Sequence, residues 1–284
     1  VFCLPFVNST TEQRYKFFHG LKTLASQDLS LAHSVFKVSS CRTILSLSDN
    51  KKFQELSTKQ FVSGFSVHKP FDTGQVVDNL ATGRKHWISN LEQAEFVIVQ
   101  LVCQGEIKLF YAELDGTTYC KDFSFLNTPG LKDTCTGDLE FSNHPVELIF
   151  SKADPRYFVS NNHNSLCFIT NYLGAITGLL HYIDHAEFKA QVRNLSTLLD
   201  YEIDVTGSQT VGSEEFWHSR NALYLNSKNL LVDICNHITR DYAGEFYNLN
   251  SAKGQQFFNC LVFSGHNGPI ARSYQQLFTE SQDY

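Results

Sequence analysis

The residues best placed to do chemistry are Gly83-Arg84-Lys85-His86-Trp87-Ile88-Ser89-Asn90. A glycine turn, two cations, an indole and a small hydroxyl residue stand ahead of the strand-like run Phe96-Val97-Ile98-Val99. Trp87 offers a flat apolar face for an aromatic ligand, while Ser89 and nearby backbone N–H groups can hydrogen-bond a polar edge. A Trp beside a strand also serves a core, and by chemistry alone that is its commoner use. Upstream, Gly64-Phe65-Ser66-Val67-His68-Lys69-Pro70 supplies a second set of aromatic, aliphatic and polar groups.

Other constellations carry less. His181 and His185 are four apart, the spacing of two ligands on one helical turn. No Glu adjoins the first His and no Cys/His group has zinc spacing, so no metal site is expected. Gly-x-Ser-x-Gly, a P-loop and Gly-x-Gly-x-x-Gly are all absent. That removes a nucleophile-elbow hydrolase and an ordinary dinucleotide-binding domain from consideration.

The elements that must position these residues fall into three zones. Residues 10–58 read as helical, with Leu31, Val35 and Val38 on one face and Asp28 able to cap the turn before them. Residues 60–150 read as strands. Phe96 to Val102 and Ile107 to Tyr111 flank Gln104-Gly105 as a hairpin, and Asp138 to Phe141 forms a short strand between turns at Pro129-Gly130 and His144-Pro145. Residues 160–284 turn helical again. Leu166, Ile169, Leu173, Ile176, Leu180 and Ile183 keep one face there, and Leu223, Leu230, Ile234 and Ile238 mark another long helix. Gly174 and Gly178, four apart, let a second backbone or a flat ligand approach closely, tight helix packing being the commoner use of such a pair. We therefore expect an α+β fold of three domains. These are an N-terminal helical domain over 1–58, a small β-barrel over 59–150 and a C-terminal helical bundle over 151–284.

Composition sets the outer bounds. The chain has 284 residues, 42% hydrophobic and 18% charged, with a formal net charge of −6. No Lys/Arg cluster recommends nucleic acid as a partner. No apolar run approaches the roughly 20 residues of a membrane-spanning helix, and the apolar start, Val1 to Phe6, lacks a basic leader. Eight cysteines without a Cys-x-x-Cys pair read as free thiols of a reducing compartment, so a cytoplasmic location is expected.

The order Gly-x-Lys-x-Trp-Ile-Ser/Thr-Asn over 83–90 resembles the flavin-contacting segment of acyl-CoA dehydrogenases. The segment 64–70 resembles the part of those proteins in which an aromatic, a small residue, an aliphatic, Thr, Glu and Pro line the flavin, with His68 at the Thr position and Lys69 at the Glu position. Leu24 to Ala32 looks like a helix of the same family, Gly130 to Val146 like its barrel exit, and Gly265-His266-Asn267-Gly268 like its Gly-rich turn near the cofactor. The resemblance covers roughly residues 20–284 and agrees in order and spacing. It implies FAD as cofactor, with Phe65, Val67, His68, Trp87, Ile88, Ser89, Gly265 and Gly268 as its binding residues. It also implies an acyl-CoA or related substrate and a homodimer or homotetramer.

In that family a Glu removes the α-proton of an acyl thioester while the β-hydrogen leaves as hydride to the flavin. Here the expected Arg-Asp pair is replaced by Gln275-Gln276, and no Glu-Gly follows. Glu187, Glu202, Glu214 and Glu215 are candidate bases by region only, so the catalytic residue stays unassigned. Phe71-Asp72-Thr73-Gly74 is a shortened version of the family's Gly-Ser-Asp turn. Two alternatives follow from these departures. One is a flavin-dependent monooxygenase or N-hydroxylase of the same fold, which needs no such Glu. The other is a catalytically degenerate protein that binds an acyl thioester or a partner.

Overall fold

The first zone becomes three helices, α1 (Thr11–Gln27), α2 (Leu29–Leu47) and α3 (Lys51–Thr58). The computed structural model describes residues 9–123, 131, 134–206, 214–248 and 250–264. Asp28 caps α2 as expected: its Oδ1 accepts from Leu31 N at 2.9 Å, taking one N–H that a helix start leaves without a partner. Asn50 does the same for α3 through Lys52 N at 2.9 Å. The buried stripe of α2 differs from the one expected. Leu31 is 48% exposed, and the apolar face runs through Leu29, Ala32, Phe36, Cys41, Ile44 and Leu45. The helical period was legible, but bulkier Phe36 sets its phase.

Among its described residues the middle zone forms eight strands: β1 (Ser63–Ser66), β2 (Gln75–Val77), β3 (Leu80–Ile88), β4 (Phe96–Cys103), β5 (Glu106–Glu113), β6 (Tyr119–Asp122), β7 (Gly137–Pro145) and β8 (Glu147–Ser151). The hairpin β4–β5 is the one expected. Its register runs from Phe96↔Glu113 to Cys103↔Glu106, closed by Gln104 and Gly105 at φ 55° and 78°. β7 is longer than expected and takes in His144 and Pro145, which therefore end a strand and do not form a separate turn.

The strands lie in the order β6-β7-β3-β2-β4-β5-β8, with β1 joining β4 in parallel. The expected β-barrel is not formed, because among the described residues β6 and β8 end the row without pairing to each other. The two faces of the sheet explain why. Val97, Val99 and Leu101 share a cluster with Phe110 and Ala112 of β5 and Leu139 and Phe141 of β7. The alternate residues, Phe96 and Ile98, pack with Cys41, Ile44 and Leu45 of α2 and Phe53 of α3. Helices already hide that second face, and the terminal strands have only four and five residues, so closure has little left to gain.

The last zone holds α4 (Pro155–Leu179), α5 (Ala186–Val205), α6 (Glu214–Asp241), α7 (Ala243–Phe246) and α8 (Ala252–Phe263). Leu166, Ile169, Leu173 and Ile176 of α4 are buried, as are Leu223, Leu230, Ile234 and Ile238 of α6. α4 stops before His181, whereas the His185 ring caps α5 by accepting from Phe188 N at 3.3 Å. The two histidines therefore do not share a helical turn. No helix among the described residues is long and apolar enough to cross a membrane.

By its contacts the chain divides into two compact units. The first takes residues 1–14, 34–127 and 134–164, the second 15–33, 128–133 and 165–284. The first contains the whole sheet and both clusters just described. The second is helical, and α4 packs closely on α1 at Gly174 and Gly178. A Cβ on either would lie 2.4 Å from Lys22 O or 2.3 Å from Ser26 O of α1. Among the described cysteines all seven are free thiols, with Cys41, Cys167, Cys235 and Cys260 buried and Cys120 exposed.

Candidate functional site

The first unit brings the two segments singled out in the sequence side by side. Phe65 and Ser89 form an isolated antiparallel bridge. Ser66 Oγ donates to His86 O at 2.8 Å, and Lys85 Nζ donates to Val67 O at 2.6 Å. Gly64 makes this approach possible: a Cβ there would lie 2.6 Å from Ile88 Cγ2 and 3.2 Å from Ser89 O.

Between these contacts β3 carries a bulge. Its ladder to β7 jumps from Lys85↔Leu139 to Ile88↔Gly137, so His86 and Trp87 together face the single residue Asp138. Two buried carboxylates take the N–H groups that leave the ladder. Asp72 Oδ1 accepts from His86 N at 2.9 Å, and Asp138 Oδ1 accepts from Trp87 N at 3.1 Å. The side chains of Asp72 and Asp138 are 1% and 2% exposed. Each carboxylate is further held by its other oxygen. Asp72 Oδ2 accepts from Lys69 N at 2.6 Å and from the Lys85 ammonium. Asp138 Oδ2 accepts from Arg84 Nε at 3.0 Å and lies 2.5 Å from His86 Nδ1. Arg84 reaches on to Asp122 at 2.5 Å.

These charge-assisted bonds are about twice as strong as neutral ones, and the charges respond to them. Burial pushes the Lys85 ammonium down to about 8, against the pull of Asp72. Hydrogen bonding to Asp122 raises the Arg84 guanidinium above its ordinary value. The outcome at Trp87 is a left-handed backbone, φ 60°, which disfavours a bulky L-residue by roughly 1–2 kcal/mol. That bend turns the indole outward, 39% exposed, while neighbouring Ile88 is fully buried.

The remaining candidate residues occupy distinct places. Phe65 is buried against α2, with Lys37 Nζ 5.2 Å from its ring centroid, and Val67 packs on the same cluster. His68 N donates to Gln100 Oε1 at 2.9 Å, and Gln100 Nε2 donates to Tyr157 Oη at 3.1 Å. The His68 ring is partly exposed, with Nδ1 3.8 Å from Asp72 Oδ2. Ile88 belongs to the cluster with Val97, Val99 and Leu101, and Ser89 is 5% exposed. Gly265 and Gly268 lie outside the described residues.

Of the carboxylates considered as bases, Glu202 is locked in the second unit. It is 2% exposed and paired with buried Arg220, at 2.8 Å from Nη2 and 3.1 Å from Nε, while Ser219 Oγ donates to its other oxygen at 2.9 Å. Glu187 is exposed and accepts from Gln191 at 3.3 Å. The side chains of Glu214 and Glu215 lie outside the described set. Sequence reasoning did not find Asp72, Gln100 or Asp138 as site residues. Strand alternation puts Asp138 opposite Leu139, where it reads as solvent-facing, and only the unpredicted bulge turns it into an acceptor.

No family model and no curated protein matches this chain. Solved structures do. Glutaryl-coenzyme A dehydrogenase, in its glutaryl-CoA complex, superposes with a TM-score of 0.74 at 14% identity, over 90% of this chain and 76% of that one. Dibenzothiophene monooxygenase from Paenibacillus sp. A11-2 gives 0.70 at 14% identity, over 99% and 87%. The chain has the acyl-CoA dehydrogenase-like fold. A third protein of similar fold, KijD3, solved with FMN and a dTDP-linked sugar, gives 0.68 at 13% identity, over 95% and 79%. Within that fold the open, helix-backed sheet of this chain carries the Trp87 bulge.

Proposed function

We propose that this protein binds a flavin against the indole of Trp87, with FAD the first candidate, and works as a flavin-dependent oxidoreductase. The observation that carries this reading is an exposed indole on a backbone bend fixed by two buried carboxylates. A planar tricyclic ring fits such a face, because aromatic stacking needs an accessible and stationary partner. In this reading Trp87 covers one ring face, and Ser89 and the His68 side chain meet the polar edge. Phe65, Val67 and Ile88 back the wall, and Gly265 and Gly268 complete the set, in a homodimer or homotetramer. The fold neighbours named as a dehydrogenase and a monooxygenase, and the one solved with FMN, support it.

The flavin would supply two-electron chemistry that side chains lack. The chain's own part is to bind, orient and keep water from the indole face. It would also present an acyl thioester, the first substrate class in this reading. Dehydrogenation of such a substrate needs a base for the α-proton, a contribution of about 10²–10⁴-fold. Glu202, held by Arg220, is poorly placed to serve as that base. This favours a second reading, oxygen-dependent oxidation of a small molecule, in which no carboxylate base is required. The third reading is an acyl-thioester-binding or partner-binding protein without catalysis.

The absorbance spectrum of the purified protein separates these. Yellow protein, or protein that turns yellow on titration with FAD, supports the flavin reading. Colourless protein that takes up no flavin overturns it. Anaerobic bleaching by an acyl-CoA supports dehydrogenation, whereas reduction only by an external reductant supports the oxygen-dependent reading.

A further inference from the structure

Asp138 stands in an unusual relation to the strand it faces. It is the one β7 residue opposite the two bulged residues of β3, it is almost fully buried, and it gathers three donors from one stretch of β3, residues 84–87. These are Arg84 Nε at 3.0 Å, His86 Nδ1 at 2.5 Å and Trp87 N at 3.1 Å. We infer that Asp138 is the positioning residue for the Trp87 indole, holding it outward by replacing the ladder bond that the bulge removes. The bearing of this on cofactor binding rests on the flavin reading given above; the positioning itself does not.

The physical argument turns on register. In a regular β3–β7 ladder the side chains of consecutive residues alternate between faces, and a slip by one residue reverses every later one. The bulge absorbs one residue between Lys85 and Ile88. That keeps Ile88 in the strand cluster while Trp87 bends out at positive φ. A buried N–H without an acceptor disfavours such a bend. Asp138 Oδ1 is the acceptor for Trp87, and Oδ2 ties the same carboxylate to Arg84 and His86, so it cannot swing away. Asp72 plays the matching part for His86 N from the other segment, at 2.9 Å. The bend is thus fixed from two sides by groups of opposite charge to the strand's own Arg84 and Lys85.

The test uses the full chain carrying Trp217→Phe, so that Trp87 is the sole tryptophan. Asp138→Ala removes the acceptor, and Asp138→Asn keeps an acceptor of the same shape without its charge. Near-UV circular dichroism and acrylamide quenching of Trp87 are read without flavin, followed by titration with FAD. The expected result is that Asp138→Ala loses most of the Trp87 dichroism, changes its quenching at least twofold and weakens FAD binding at least tenfold. Asp138→Asn should fall between Asp138→Ala and the parent. Should Asp138→Ala fail to fold, the Asn variant carries the same readouts. Unchanged Trp87 signals in every folded Asp138 variant overturn the inference. If the Trp87 signals move while Trp87→Ala binds FAD like the parent, the positioning role stands and the flavin reading falls.

Discussion

At Trp87 two demands meet that seldom coincide, a strained backbone and an outward aromatic face. If the indole forms one wall of a flavin site, Trp87→Ala should weaken FAD binding by about tenfold or more, and Trp87→Phe by less, because Phe keeps a smaller stacking surface. Isothermal titration with FAD measures both. A second residue-scale prediction concerns acid. His163 is buried, with Ser39 Oγ 2.9 Å from its Nε2, and burial pushes its imidazole down to about 3. Between that value and the unfolded value of about 6.5, the unfolded chain binds a proton that the folded chain refuses, so stability falls as pH drops through this window. The contribution is complete above pH ~6.5 and declines by about 1.4 kcal/mol per pH unit below it. His163→Gln, which does not titrate, should flatten the slope by that amount in urea unfolding measured from pH 7 to 4.

At the scale of elements, close approaches decide what can change. Gly64→Ala would press a methyl onto Ile88 and Val97, at 2.6 and 2.9 Å, both side-chain contacts that can shift. We expect a loss of about 1–3 kcal/mol in unfolding free energy together with weaker FAD binding, since β1 would be pushed from the Ile88–Ser89 strand end. Gly174→Ala meets rigid backbone, Lys22 O at 2.4 Å, and should lower stability at least as much while acting on the helical unit alone. Much of this layer was legible in the chain. The β4–β5 hairpin followed from a β-branched run around Gln104-Gly105, and the α4 and α6 faces followed from period 3.6. Three features were not. The phase of α2 depends on which side of it meets the sheet, sheet closure depends on whether helices cover the second face, and the bulge depends on Asp138, distant in sequence. Each is a tertiary fact that local periodicity does not encode.

At the scale of the molecule, the fold was readable only through short motifs. Trp87 and Phe65 stand out because their neighbours follow a known order, whereas the bonds that Asp72 and Asp138 make to the backbone of residues 86 and 87 follow from no motif. A ligand that binds only the folded chain stabilises it by mass action. FAD at a hundred times its dissociation constant should therefore add about 2.7 kcal/mol. That corresponds to a rise in melting temperature of roughly 5–10 °C for a chain of this size, measured by scanning calorimetry. Trp87→Ala should forfeit most of that rise.

The free thiols give the protein a built-in clock. Cys120 on the rim strand is open to reagent, while Cys41 sits in the first unit and Cys167, Cys235 and Cys260 in the second, all sealed. Burial raises the Cys41 thiol to about 12 and raises Cys235 and Cys260 well above the ordinary range, so none reacts until its surroundings open. Pulsed alkylation read by mass spectrometry should mark Cys120 within seconds and the sealed four only as fast as each unit breathes. Matching rates for Cys41 and Cys235 would mean that both halves come apart in a single event; a lag would time one against the other.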